Sequence, residues 1–155
     1  MKAQASTSSQ TSSSSRQTLH AYYELTKPRV VALIVFTAIV GMFLSVESMV
    51  PVSVLIFGAL GIGLSAASGA AFNHLLDRRA DRVMARTSGR PLPTGTVHTT
   101  TALIFASALA VVSVLVLVTM VNTLTAALSF ASMIGYAVVY TVWLKHATPQ
   151  NIVIG

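Results

Sequence analysis

Three oxygen-bearing side chains, Asn73, Asp77 and Asp81, stand at successive four-residue steps. On a helix each such step turns about 40° and climbs about 6 Å, so the three oxygens form a ladder along one face. Mg2+ takes an octahedron of hard oxygens and is usually held by one or two carboxylates together with substrate phosphates. The ladder offers that kind of partial shell, with coordination positions left for a ligand. Arg78, Arg82, Arg86 and Arg90 repeat the same step, displaced from the aspartates by about 100°. Arginine presents a planar fork of donors matched to phosphate oxygens. A divalent-metal ladder beside such forks has the chemistry of a diphosphate site. Pro91 and Pro93 are expected to stop the helix and stiffen the loop that holds Arg90. Upstream, Gly61, Ser65 and Gly69 lead into Asn73 at the same spacing. Small residues there let a second helix approach closely, or leave room for an apolar ligand beside the polar site.

A plainer arrangement uses the same residues. Asp77 and Asp81 can pair with Arg78, Arg82 or Arg86 on a solvated helix at the membrane edge, each pair contributing under about 1 kcal/mol. The arginines alone can set membrane orientation and touch anionic lipid heads. Such a loop has no need of an asparagine at 73 or of Arg90-Pro91-Leu92-Pro93.

The elements that position this cluster are written in the composition. Of the 155 residues 54% are hydrophobic and only 9% charged, far below the quarter charged of a soluble domain. With no cysteine, disulfides, thiolate metal sites and cysteine nucleophiles are excluded. Residues 1–19 are rich in Ser, Thr and Gln and read as a disordered cytoplasmic tail. They lack the short apolar core of a secretory signal. Beyond them, residues 20–155 hold long runs without charge, and a spanning helix needs roughly 20 apolar residues. The runs predict helices at about Val30–Val50, Val52–Leu76, Ala102–Val121 and Thr125–Leu144, with a fifth beginning at Asn151–Gly155. The expected fold is all-α: a polytopic membrane bundle of four transmembrane helices plus the start of a fifth. Lys27 and Arg29 precede the first helix, five arginines follow the second and Lys145 follows the fourth. The positive-inside rule puts all three places, and the N-terminus, on the cytoplasmic side. The net charge of +6 is therefore an orientation signal, and nucleic acid is not the expected partner; the lipid bilayer is.

Asn73, Asp77 and Asp81, followed by Arg86-Thr87 and Arg90-Pro91-Leu92-Pro93, resemble the first aspartate-rich motif of the UbiA-type intramembrane prenyltransferases. Tyr23-Glu24-Leu25-Thr26-Lys27-Pro28-Arg29 and the run Ala67–His74 are similar to the haem O synthase branch, and the resemblance extends from about Tyr23 to Gly155. It implies a helical bundle with a central cavity open to the membrane, seated in the cell inner membrane or, alternatively, the mitochondrial inner membrane. It implies that Asn73, Asp77 and Asp81 bind Mg2+ and the diphosphate of farnesyl diphosphate and carry the catalysis. Arg86 and Arg90 would hold the diphosphate, with Lys27 a weaker candidate at the cavity mouth. The implied reaction is farnesyl transfer to a vinyl group of haem B, water completing the side chain of haem O. Haem-copper oxidase assembly or a haem A synthase are implied as partners. A benzoate-type aromatic acceptor and a non-enzymatic membrane bundle remain the alternatives.

Members of that family are about twice as long and carry a second acidic motif, whereas no acidic residue follows Asp81 here. The expectation is an N-terminal part, truncated, with little activity by itself. Among residues outside the ladder, His74 is expected to be an interfacial or helix-packing side chain about 100° from it. His20, His98 and His146 read as interfacial, and Tyr136, Tyr140 and Trp143 as an aromatic belt. Asn122 is expected to serve a tight turn.

Overall fold

The computed structural model describes residues 17–83, 85 and 87–138. Among these residues five helices follow one another: α1 (Gln17–Leu25), α2 (Pro28–Leu44), α3 (Val52–Val83), α4 (Thr99–Met120) and α5 (Thr123–Ile134). Residues 135–138 extend α5 as a wider π turn, and no strand occurs among the described residues. Among the described residues two helices are long and apolar enough to cross a membrane, Val52–Arg79 within α3 and Thr99–Met120. The pair α1 and α2 adds a third if its 45° bend lies within one span, and Thr123–Val138 is a shorter apolar helix. The all-α membrane bundle thus stands, with two or three spans among the described residues where four were expected. The last part of the expected fourth span and the fifth helix at Asn151–Gly155 lie outside them. So do residues 1–16 of the expected tail, whereas its last three residues open α1.

Boundaries follow local chemistry. Pro28 sits in the first turn of α2, where its missing N–H costs nothing and its fixed φ suits the helix. The expected helix through Val50 stops at Leu44 instead. Ser45 Oγ donates to the Met42 carbonyl at 2.9 Å, which lets the chain leave the helix and keeps the exposed Glu47 outside it. α3 runs seven residues past its expected end at Leu76 and carries the whole ladder. It ends well before Pro91, because Thr87 Oγ1 turns back to donate to the Asp81 carbonyl at 3.1 Å. The prolines therefore shape the following loop rather than stop the helix. Asn122, expected to serve a tight turn, is the N-cap of α5, its Oδ1 accepting from Thr125 N at 2.7 Å.

α3 is the axis of the bundle, and at 32 residues and 1.5 Å per residue it is about 48 Å long. A hydrocarbon layer of about 30 Å matches only about two thirds of that length, and the charges of α3 all fall in its last third, from Asp77 on. α4 packs closely along it. Ser113 Oγ donates to the Gly61 carbonyl at 2.8 Å and Ser68 Oγ to the Ala106 carbonyl at 2.8 Å. The polarity is inverted relative to a soluble core: Ser65, Ser68, Asn73, His74, Asp77, Asp81 and Ser113 are buried, while Leu33, Phe36, Ile104 and Leu128 are exposed. A lipid surround gives that pattern its sense, since apolar side chains facing hydrocarbon cost nothing.

Candidate functional site

The ladder forms as its spacing predicts. Asn73, Asp77 and Asp81 lie on the last turns of α3 and are 5%, 6% and 4% exposed, which is unusual for carboxylates unless they are paired. A cation meets each end. Lys27 Nζ donates to Asn73 Oδ1 at 2.6 Å, and Arg90 Nη1 donates to Asp81 Oδ2 at 2.8 Å. These contacts join residues 46 and nine positions apart, so the fold, not the helix alone, closes the site. Among the described residues, Asp81 is paired with Arg90 of the loop rather than with Arg78 or Arg82 of the helix.

Lys27 reaches Asn73 from the hinge between α1 and α2. Its φ of 47° and ψ of 62° are left-handed, and it is the one non-glycine residue with positive φ among the described residues. That conformation costs a lysine about 1–2 kcal/mol, and such strain persists where the surrounding structure fixes it. The hinge is fixed by Pro28 on one side and by the fully buried Leu25 on the other. Lys27 was the weaker candidate in the sequence; in the structure it touches the ladder directly.

Arg90 sits on a loop tied down from below and above. Its N–H donates to the Thr87 carbonyl at 3.1 Å, its own carbonyl accepts from Thr94 N at 3.1 Å, and Val97 N donates to the Pro91 carbonyl at 3.2 Å. Leu92 and Val97 then plug into a small core with Ala21, Leu25 and Ala102. Tyr22 packs edge-on against Phe105 with ring centroids 5.0 Å apart. α1 is thereby a strap across the loop, and Leu92 in Arg-Pro-Leu-Pro is its anchor. Thr87, Leu92 and Leu25 are the residues that sequence reasoning passed over as parts of the site; the apolar residue set between two prolines was the available signal. The four-step arginine series does not stay on one face. Arg78 Nη1 donates to Thr99 Oγ1 at 3.0 Å on α4, Arg82 is exposed, and Arg90 has left the helix. Arg86 lies outside the described residues.

Two cavities lie against residues that hold the ladder, and they share Lys27. One, of about 390 Å3, is polar and lined by Glu24, Lys27, His74, Gly89, Arg90 and Pro91. The other, of about 460 Å3, lies between α2, α3 and α5, with Val30, Ile62, Gly69, Leu128 and Met133 in its wall. Tyr136, expected in an aromatic belt, also lines it; Tyr140, Trp143 and His146 lie outside the described residues. His74, expected as an interfacial or packing residue, is 4% exposed, and neither ring nitrogen has a hydrogen-bond partner. His20 sits on the exposed side of α1, 3.6 Å from Glu24.

Hard oxygens and cations are the only chemistry on the ladder. Among the described residues no three of His, Asp or Glu gather into a self-sufficient metal cluster. The donor set suits a hard divalent cation that draws the rest of its shell from phosphate oxygens. Beside it, a basic rim and an apolar cavity suit a ligand with an anionic head and a hydrocarbon tail.

Comparison with known proteins points the same way. The model of the UbiA prenyltransferase family matches residues 34–155. A protoheme IX farnesyltransferase 1 of Shewanella woodyi is 61% identical over 135 residues, covering 87% of this chain and 45% of that protein. A protoheme IX farnesyltransferase of Thioalkalivibrio sulfidiphilus is 62% identical over 134 residues, covering 86% and 44%. One of Nitrosococcus oceani is 61% identical over 134 residues, covering 86% and 45%. The chain thus spans a little under half the length of these curated relatives. No solved structure matches it.

Proposed function

The chain belongs to the UbiA prenyltransferase family, and we propose that it supplies the diphosphate-binding part of a haem O synthase. The reaction is transfer of farnesyl from farnesyl diphosphate to a vinyl group of haem B. The observation that carries this reading is the buried Asn73, Asp77 and Asp81 ladder, held by Lys27 and Arg90 and opening beside an apolar cavity. The names of relatives about 60% identical support the choice of acceptor.

Asn73, Asp77 and Asp81 are the residues that would hold Mg2+, and their all-oxygen set fits it. When bound, the ion supplies positive charge to the diphosphate oxygens. Arg90, with Arg86, offers donor forks to the same oxygens, and Lys27 adds a point charge between head and tail. The carbon–oxygen bond of the farnesyl group breaks with its electron pair leaving on the diphosphate, where these cations stabilise the growing charge. Val30, Ile62 and Met133 keep bulk water from the allylic cation. The vinyl group then attacks C1 of the farnesyl chain, the new carbon–carbon bond leaves a cation on the vinyl carbon next to the macrocycle, and water adds there with loss of a proton.

The same reading places the protein in a cell inner membrane, with α1 and the Arg90 loop on the cytoplasmic face, where Lys27, Arg29 and the arginine cluster collect. A haem A synthase, or the assembly of a haem-copper oxidase, is then the consumer of the product. The test is the haem profile extracted from cells that lack their own haem O synthase and express the protein from its native reading frame. Haem O in that profile is the expected result. A farnesylated aromatic acid in its place would move the assignment to another acceptor, and no prenylated product from a stably expressed protein would overturn it.

A further inference from the structure

His74 is a buried group that the proposed chemistry leaves unused. It is 4% exposed and neither of its ring nitrogens is hydrogen-bonded. A buried imidazole with no partner is costly, and native structures tolerate such orphans where a ligand or ion completes them. The side chain is one position past Asn73 and lines the polar cavity of about 390 Å3 together with Lys27 and Arg90. These are the two residues whose cations grip the ends of the ladder. Glu24 faces the same cavity, but its carboxylate also lies toward His20, 3.6 Å away on the exposed side of α1. The cavity wall therefore carries two cations, each also donating to the ladder, and an imidazole whose ring nitrogens have no partner. Two cations and an unfilled donor describe an anion with several acceptor oxygens.

We propose that His74 is a positioning residue for the diphosphate head, donating a ring N–H to one of its oxygens. The proposal rests on the functional reading above and deepens it: the head group spans from the ladder into the Lys27, His74 and Arg90 cavity. A reason for the orphan follows. A buried ring N–H without a partner is costly, and a diphosphate oxygen beside it would satisfy that donor. An apolar residue of similar size should leave the ligand-free protein as stable or more stable while weakening the anion. Glutamine, which can offer an N–H from nearly the same place, should keep the contact.

The test uses the protein expressed from its native reading frame and purified in detergent, with inorganic diphosphate and Mg2+ as the probe. His74→Leu and His74→Gln are compared with wild type by thermal unfolding without ligand and by diphosphate titration. Expected are an unchanged or higher unfolding temperature for His74→Leu, a loss of about tenfold in diphosphate affinity, and recovery to within about threefold in His74→Gln. In turnover the loss should fall on KM for the prenyl diphosphate more than on kcat. Equal affinity of His74→Leu and wild type would overturn the proposal, as would equal losses in the leucine and glutamine variants, which mark a packing role. Failure of wild type itself to bind diphosphate overturns the functional reading, and this proposal with it.

Discussion

The two sides of α3 use the same small residues to opposite ends. Toward α4 the helices touch. A Cβ added at Gly61 would lie 2.5 Å from Leu117, and serine hydroxyls on each helix donate to carbonyls of the other. Toward α2 and α5 the small residues Ser65, Gly69 and Ala70 line a cavity of about 460 Å3, whereas earlier on α3 a Cβ added at Gly58 would lie 2.7 Å from Met42 of α2. A Cβ at Gly69 would meet Met133 no closer than 3.4 Å. One face is closed along its length, while the other is closed against α2 at Gly58 and Gly63 and opens into a space only toward the ladder. The ladder stands at the end of α3 where both faces meet, so the closed side sets its geometry and the open side is where the proposed ligand would enter.

The strongest test of that division removes the chemistry and leaves both faces alone. Asp81→Asn and Asp77→Asn keep shape but lose a carboxylate charge. Turnover should fall by about 100-fold or more, as for other charge-stabilising groups, with helical circular dichroism unchanged. Activity within a few-fold of wild type would reduce the ladder to an orienting element.

Next in size is the closed face. Gly61→Ala drives a methyl into Leu117, which is fully buried, and such overpacking costs about 1–3 kcal/mol. Unfolding in detergent should show that loss, and pairing it with Leu117→Ala should recover part of it, because residues in contact couple by about 0.5–3 kcal/mol. Additive losses would mean that the two helices do not meet there. A smaller effect is expected from Arg90→Lys. The charge opposite Asp81 is kept but the planar fork is lost, so KM for the prenyl diphosphate should rise on the order of tenfold with stability little changed.

The ladder and the small-residue stripe could be read from spacing because both are periodic on one helix, where geometry follows from 3.6 residues per turn. Even the double use of the stripe was open in the sequence, as close approach or as ligand space, and the structure takes both: Gly61 the first, Gly69 the second. What could not be read was anything that depends on a loop. Arg90 looked like the fourth member of a helical series, yet Thr87 ends that series by binding the Asp81 carbonyl. Lys27 looked peripheral because nothing in Tyr23–Arg29 shows that its backbone turns left-handed and aims the ammonium at a residue 46 positions away. The site histidine was set aside for the same reason. Helical phase turned His74 from the ladder, whereas the 89–91 loop and the Lys27 hinge fold over to make its side of α3 a cavity wall.

The smallest predicted effect is the most specific to the comparison. Gly69→Ala places a methyl 3.4 Å from Met133 Cγ and 3.7 Å from Tyr136 Cδ1, both ordinary contact distances. Replacing glycine by alanine inside a helix gains up to about 1 kcal/mol from propensity, so stability should be unchanged or slightly raised, opposite in sign to Gly61→Ala eight residues earlier on the same helix. Larger side chains should keep that stability and instead subtract from the cavity. Gly69→Leu would fill space beside Ile62 and Met133 and should shift preference from farnesyl toward shorter prenyl diphosphates, read from product chain length with mixed donors. A destabilised Gly69→Ala would show that the open face is packed after all. An unshifted chain-length preference in Gly69→Leu would place the hydrocarbon tail elsewhere, with the ladder still free to hold its head.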